Sequence, residues 1–159
     1  MAKTALIYYT FEGNTGFIAE ELENRMDLDV FRLLPDKEPP KSGIGKFLLG
    51  GKSALAGDDV KLAPLSIDVN AYDNLILAFP VWAGRFPPAM RSFLKQYKIE
   101  DKNLFVIANS ASGKGDSAIG AVMNHVKNCR IVGSLSLRNP MQYKDEARGM
   151  LDVVEKAFG

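Results

Sequence analysis

Thr10-Phe11-Glu12-Gly13-Asn14-Thr15 is the first stretch of the chain whose residue types and spacing could do chemistry. It joins an apolar run to a segment with helical spacing. Gly13 allows a tight turn, and Asn14 and Thr15 fall where the helix begins. Unpaired N–H groups and the positive end of the helix dipole converge at such a start, which makes it a site for an anion. Thr10, Asn14 and Thr15 add side-chain donors, and the loop contains no Lys or Arg. A phosphate held here would rest on dipoles and hydroxyls. Read alone, the loop serves equally as a simple helix cap, because Asn and Thr favour that position.

Two further loops leave apolar runs in the same way. Pro80-Val81-Trp82-Ala83-Gly84-Arg85 follows the run that ends at Phe79 and carries the chain's one tryptophan. A planar indole beside Gly84 suits stacking on a flat ring system. It could also fold back on the sheet edge. Arg85 reads as a solvated charge, or as a group favouring negative charge on a nearby ring. Asn109-Ser110-Ala111-Ser112-Gly113-Lys114-Gly115 is the third loop, with glycines and hydroxyls that offer backbone contacts to a polar heterocycle edge. In isolation it is an ordinary turn; three such loops together point to a ligand.

The elements that must position these loops are legible in the hydrophobic pattern. Five short apolar runs, Ala5 to Tyr9, Val30 to Leu34, Leu75 to Phe79, Leu104 to Ala108 and Ile131 to Leu137, recur along the chain. Four of them are near-continuous rather than alternating, as strands buried on both faces are. Helical spacing predicts helices over Thr15 to Met26, Asp116 to Asn128 and Tyr143 to Phe158, and the segment with Met90, Phe93 and Leu94 opens another. Such alternation implies a parallel sheet with helices on both faces. Ligands of open parallel sheets bind beyond the carboxyl ends of the strands, where strand order reverses. The first, third and fourth strand exits are therefore the ones to inspect. Between Pro35 and Pro64 the chain is rich in proline and glycine, with one short helical pattern around Ile44 to Leu55.

At Thr10 to Thr15 and Pro80 to Arg91 the sequence resembles the flavodoxin family. Thr10-x-x-Gly-Asn-Thr15 is similar to that family's FMN-phosphate loop. Pro80-Val-Trp-Ala-Gly and Pro87-Pro-Ala-x-Arg91 are similar to its second loop, whose aromatic covers the isoalloxazine, and Asn109 to Gly115 is similar to the third. The resemblance spans nearly the whole chain. It implies a single domain over residues 1–159: a three-layer α/β fold whose five-stranded parallel sheet runs 2-1-3-4-5. It also implies FMN as cofactor, contacted by all three loops, with redox proteins or NAD(P)H as partners. The expected function is electron transfer, with an NAD(P)H-dependent FMN oxidoreductase reducing quinones or other small acceptors as the alternative. Two departures stand out. Glu12 occupies a place where the family usually has a hydroxyl residue. A carboxylate ~5 Å from a phosphate at an effective dielectric of ~20 is repelled by ~3 kcal/mol per phosphate charge, so Glu12 is expected to turn away. The chain is also nearly neutral, with 20 Lys+Arg against 19 Asp+Glu, where many flavodoxin carriers are strongly acidic.

The remaining signals exclude more than they suggest. The charge balance has no dense basic stripe, so neither nucleic acid nor an anionic membrane is expected as a partner. A single cysteine, Cys129, cannot form an internal disulfide, and the start of the chain lacks a leader pattern; a cytoplasmic protein is expected. Gly45 to Ser53 nearly spells a Walker A loop, but Lys46 stands where glycine is needed and no strand precedes it. His125 has no second His or Cys nearby, so no metal is expected. A phospho-receiver domain would need acids after the first and third strands, where Tyr9-Thr10 and Phe79-Pro80 stand instead.

Overall fold

A computed structural model describes residues 2–39 and 59–158. The helix expected between Gly43 and Ala56 and the Walker-like run from Gly45 to Ser53 lie outside the described residues.

The five apolar runs become five strands, and no end moves by more than two residues: β1 (Thr4–Tyr8), β2 (Asp29–Arg32), β3 (Asn74–Pro80), β4 (Asn103–Ser110) and β5 (Arg130–Arg138). All neighbours are parallel, in the order β2-β1-β3-β4-β5. Four α-helices occur among the described residues: α1 (Asn14–Glu23), α2 (Pro88–Gln96), α3 (Asp116–Val122) and α4 (Lys144–Phe158). Successive strand residues point to opposite faces, and the core divides accordingly. Ala5, Ile7, Leu75, Leu77, Leu104 and Val106 pack under α2 and α3. Leu6, Ile76, Ala78, Phe105 and Ile107 pack under α1 and α4. The result is three layers.

Two expectations need correction. Burial on both faces holds for β1, β3 and β4, whereas β2 and β5 are the sheet's edges and stay partly exposed. The helix expected to run to Asn128 ends at Val122 and gives one 3₁₀ turn over Met123–His125. Periodicity misled here because Val126 is a helix-spaced apolar residue that sits on extended backbone. Lys127 then bridges to Glu100, and Asn128 takes a left-handed φ of 52° that leads the chain into β5.

Polar side chains stitch the sheet at the starts of its strands. Asn74 Nδ2 donates to Thr4 Oγ1 at 3.2 Å and Asn103 Nδ2 to Asn74 Oδ1 at 2.9 Å. Two buried tyrosines fasten the sheet to its surroundings: Tyr72 donates to Asp29 at 2.8 Å and Tyr9 to Glu38 at 2.9 Å. Burial first, and then the carboxylate that each phenol faces, pushes Tyr72 up to about 12 and Tyr9 well above the usual tyrosine range. Both phenols therefore stay protonated in the fold at a pH where an unfolded tyrosine would ionise. Their contribution to stability is intact below about pH 10 and is lost as pH climbs through the folded values. The urea midpoint should accordingly fall between pH 9 and pH 11, and fall less steeply in a Tyr9→Phe/Tyr72→Phe variant. Equal slopes for the two proteins would assign the loss to other groups.

Candidate functional site

Because all five strands are parallel, their carboxyl ends share one rim, and the exits of β1, β3 and β4 lie side by side there. A cavity of about 330 Å³ opens at this rim. The structure brings together Thr10, Phe11, Glu12, Asn14 and Thr15 from the first loop, Pro80, Val81, Trp82 and Ala83 from the second, and Asn109, Ser110 and Ala111 from the third. Asn139, just past β5, completes the lining. Sequence reasoning missed it. An Asn-Pro turn signal marks the spot, but only the parallel placement of β5 carries that turn to the same rim.

The first loop enters α1 through Gly13, whose φ of +104° is a conformation that L side chains rarely adopt. The first bond of the helix ladder runs from Phe17 N–H to the Gly13 carbonyl at 2.9 Å. The first-turn amides ahead of it have no partner within the helix, and the first turn carries no acidic residue. Glu12 is the one ionisable residue among the described lining residues, and it sits exposed at the rim.

The polar side chains around this helix start share a hydrogen-bonding pattern. Thr10 Oγ1 accepts from Gly13 N–H at 3.2 Å. Asn14 Oδ1 accepts from Met141 N–H at 3.0 Å, which ties the loop to the segment after β5. Thr15 Oγ1 accepts from Asn109 Nδ2 at 2.7 Å, deep in the fold. In each case the side-chain oxygen already receives a proton from inside the protein. Each oxygen keeps a second lone pair, but the O–H and N–H protons of Thr10, Asn14 and Thr15 take no part in these bonds, so this corner of the cavity is rich in donors. Such a corner fits a group that only accepts, and a phosphate ester is one.

The second loop supplies an aromatic wall. Trp82 is half-buried and meets Phe11 and Tyr9 edge to face, with ring centroids 5.4 and 5.8 Å apart. These contacts hold the indole while the ring still lines the cavity. The backbone at Trp82 and Arg85 exchanges two hydrogen bonds, of 2.8 and 2.9 Å, across Ala83 and Gly84. Both intervening residues have positive φ, 48° and 76°, as a tight two-residue turn requires. That turn settles Arg85: it is exposed, directly opposite Trp82 in the turn, and outside the cavity lining.

The third loop is fixed to the second, with Val81 N–H donating to the Asn109 carbonyl at 2.8 Å. The expected glycines are not in the lining. Gly13 and Gly84 shape their turns, and Gly113 packs on the Arg138 side chain. Gly115 packs on Ala108 and Ser136, where a Cβ would meet Ala108 Cβ at 2.7 Å. These four glycines serve the loops rather than line the cavity.

No family model matches the chain, and neither does any curated protein. Solved structures do. A flavoprotein from Lactobacillus acidophilus, in complex with FMN, superposes with a TM-score of 0.66 at 17% identity, covering 91% of this chain and 98% of its own. An oxidised flavodoxin from Bacillus cereus gives 0.57 at 13% identity, with 99% and 100% covered. The apo form of an NADH:FMN oxidoreductase gives 0.56 at 14% identity, with 99% and 88% covered. The fold is flavodoxin-like, with the strand order that the sequence led one to expect.

Ala83 carries the backbone cost of the second loop, since a non-glycine left-handed residue loses roughly 1 kcal/mol. Asn tolerates that conformation better. Ala83→Asn should raise unfolding stability by about 0.5 kcal/mol in urea titrations. A decrease would mean that the turn is not held as described.

Proposed function

We propose that this chain binds FMN non-covalently at the strand-end cavity and acts in electron transfer. The observation that carries the reading is the donor-built corner at the start of α1, beside a held indole. In this assignment the phosphate lies at Asn14 and Thr15, where first-turn amides, hydroxyl and carboxamide protons balance a dianion without a cation. The ring system runs along Trp82, and its polar edge faces Ser110 and Ala111. FMN, when bound, supplies one- and two-electron redox chemistry. The fold match to a flavoprotein solved with FMN supports the cofactor.

Electron transfer is supported by the rims of the cavity. Ala83 and Gly84 on one side and Ala111 and Ser112 on the other are exposed and small, so a partner protein could come close to a ring edge. A specific feature also favours a second reading, reduction of FMN by NAD(P)H. A further cavity of about 430 Å³ lies against Trp82, lined by Tyr9, Pro35, Lys37, Glu38 and Ala89 among others. It offers space next to the ring site for another small molecule.

Reconstitution with FMN should shift and structure the visible flavin absorption, and NADH or NADPH added without a partner should leave that absorption in place. Rapid bleaching by either would favour the reductase reading. Absence of any FMN binding would defeat both. The phosphate assignment has its own check: an Asn14→Ala/Thr15→Ala variant should lose roughly 10–100-fold in FMN affinity and far less in riboflavin affinity. Equal losses would put the phosphate elsewhere.

A further inference from the structure

The third loop is expected to meet a flavin edge through its backbone from Asn109 to Gly115, which leaves the Asn109 side chain without an assigned role. That side chain reaches inward to the first loop, across 94 positions of sequence, while the residue still lines the cavity. Two contacts fix which way its amide points. The Phe79 carbonyl lies 3.3 Å from Nδ2 and can only accept, so the amide NH₂ must face it. The second N–H of that NH₂ then falls to Thr15 Oγ1 at 2.7 Å, and the hydroxyl has to be the acceptor. Thr15 is 1% exposed and Asn109 3%, so solvent has little room to compete for the bond.

We infer that Asn109 is a positioning residue that holds Thr15 as a hydrogen-bond donor toward the cavity, and thereby sets a preference for a phosphorylated flavin over an unphosphorylated one. The inference rests on the FMN reading above. A threonine hydroxyl has one proton and two lone pairs. Engaged by the Asn109 N–H, it presents its proton to the site. Without that N–H, the hydroxyl is free to rotate, and its donation to the phosphate oxygens is no longer preorganised. Riboflavin carries the same ring system without the phosphate, so only the anionic end of the ligand registers the change. Asn109 thus acts through Thr15, from the end of the neighbouring strand.

The test compares FMN and riboflavin dissociation constants, read by flavin fluorescence, in the wild type and in Asn109→Leu, Thr15→Val and the double variant. Asn109→Leu should weaken FMN roughly tenfold or more and riboflavin less than about threefold. In the Thr15→Val background the same substitution should add almost nothing to the FMN loss, because the hydroxyl it positions is already gone. Should Asn109→Leu fail to fold, the near-isosteric Asn109→Asp carries the comparison. Its carboxylate takes the Thr15 proton away from the site, and FMN should again lose far more than riboflavin. Equal losses for the two flavins, or additive losses in the double variant, would overturn the inference and leave Asn109 a packing residue. A wild type that binds FMN with no preference over riboflavin would overturn it too. A wild type that binds neither flavin would remove the FMN reading itself.

Discussion

The parallel pairing of β1 with β3, and of β3 with β4, is the constraint on which the rest of this structure depends. In the order β2-β1-β3-β4-β5 the chain moves one way from β1 to reach β2 and the other way to reach β3. The helices that follow β1 and β3 therefore pack on opposite faces of the sheet, and the loops leading to them diverge. A crevice must open between diverging loops at the carboxyl ends of the strands. Every polar group at the site sits where it does because of that reversal. A sheet wound in a single direction would have carried the same three loops without a gap between them.

In the proposed FMN reading, attraction for the anion within the crevice comes from backbone and neutral side chains rather than from cations. Lysine or arginine would give a longer-range field, but one that also draws anions without regard to shape. Amides and hydroxyls act over hydrogen-bond distances, so geometry decides what is held. That places a demand on the scaffold: each hydroxyl or carboxamide oxygen must be engaged by a donor from the protein. Gly13, Met141 and Asn109 do this from three separate segments. The proposed anion site is thus a joint product of the first loop, the β4 end and the chain after β5. The start of the first helix supplies only part of it.

The aromatic wall has a comparable division of labour. Trp82 is held by Phe11 and Tyr9, and Tyr9 is in turn anchored through its phenol to Glu38. Burial that keeps Tyr9 protonated also keeps that anchor in place. The indole consequently borders two cavities, one on the strand-end side and one toward residues 35–39. Its tight turn through Ala83 and Gly84 keeps the loop short and sends Arg85 outward. A loop of this construction presents a flat, neutral surface with no charge directed at it from its own arginine.

Hydrophobic pattern determined that Leu6, Ile76 and Phe105 would lie in strands, and turn and cap residues that α1 would begin near Asn14 and that three loops would leave the strands as candidates for a site. Such features follow from local periodicity and from residues whose backbone preferences act over a few positions. The tertiary structure decided the rest, because it rests on contacts between distant segments. Past the end of α3 at Val122, the chain turns to form a bridge from Lys127 to Glu100, a residue distant in sequence. The place of Asn139 in the lining depends on where β5 docks, and the exclusion of Arg85 on the sense of a two-residue turn. The inward turn of Asn109 depends on Phe79 and Thr15, which reach it from a neighbouring strand and from a helix start far away in sequence. Residue types along the chain could nominate donors for an anion; only folding could choose which of their atoms face it.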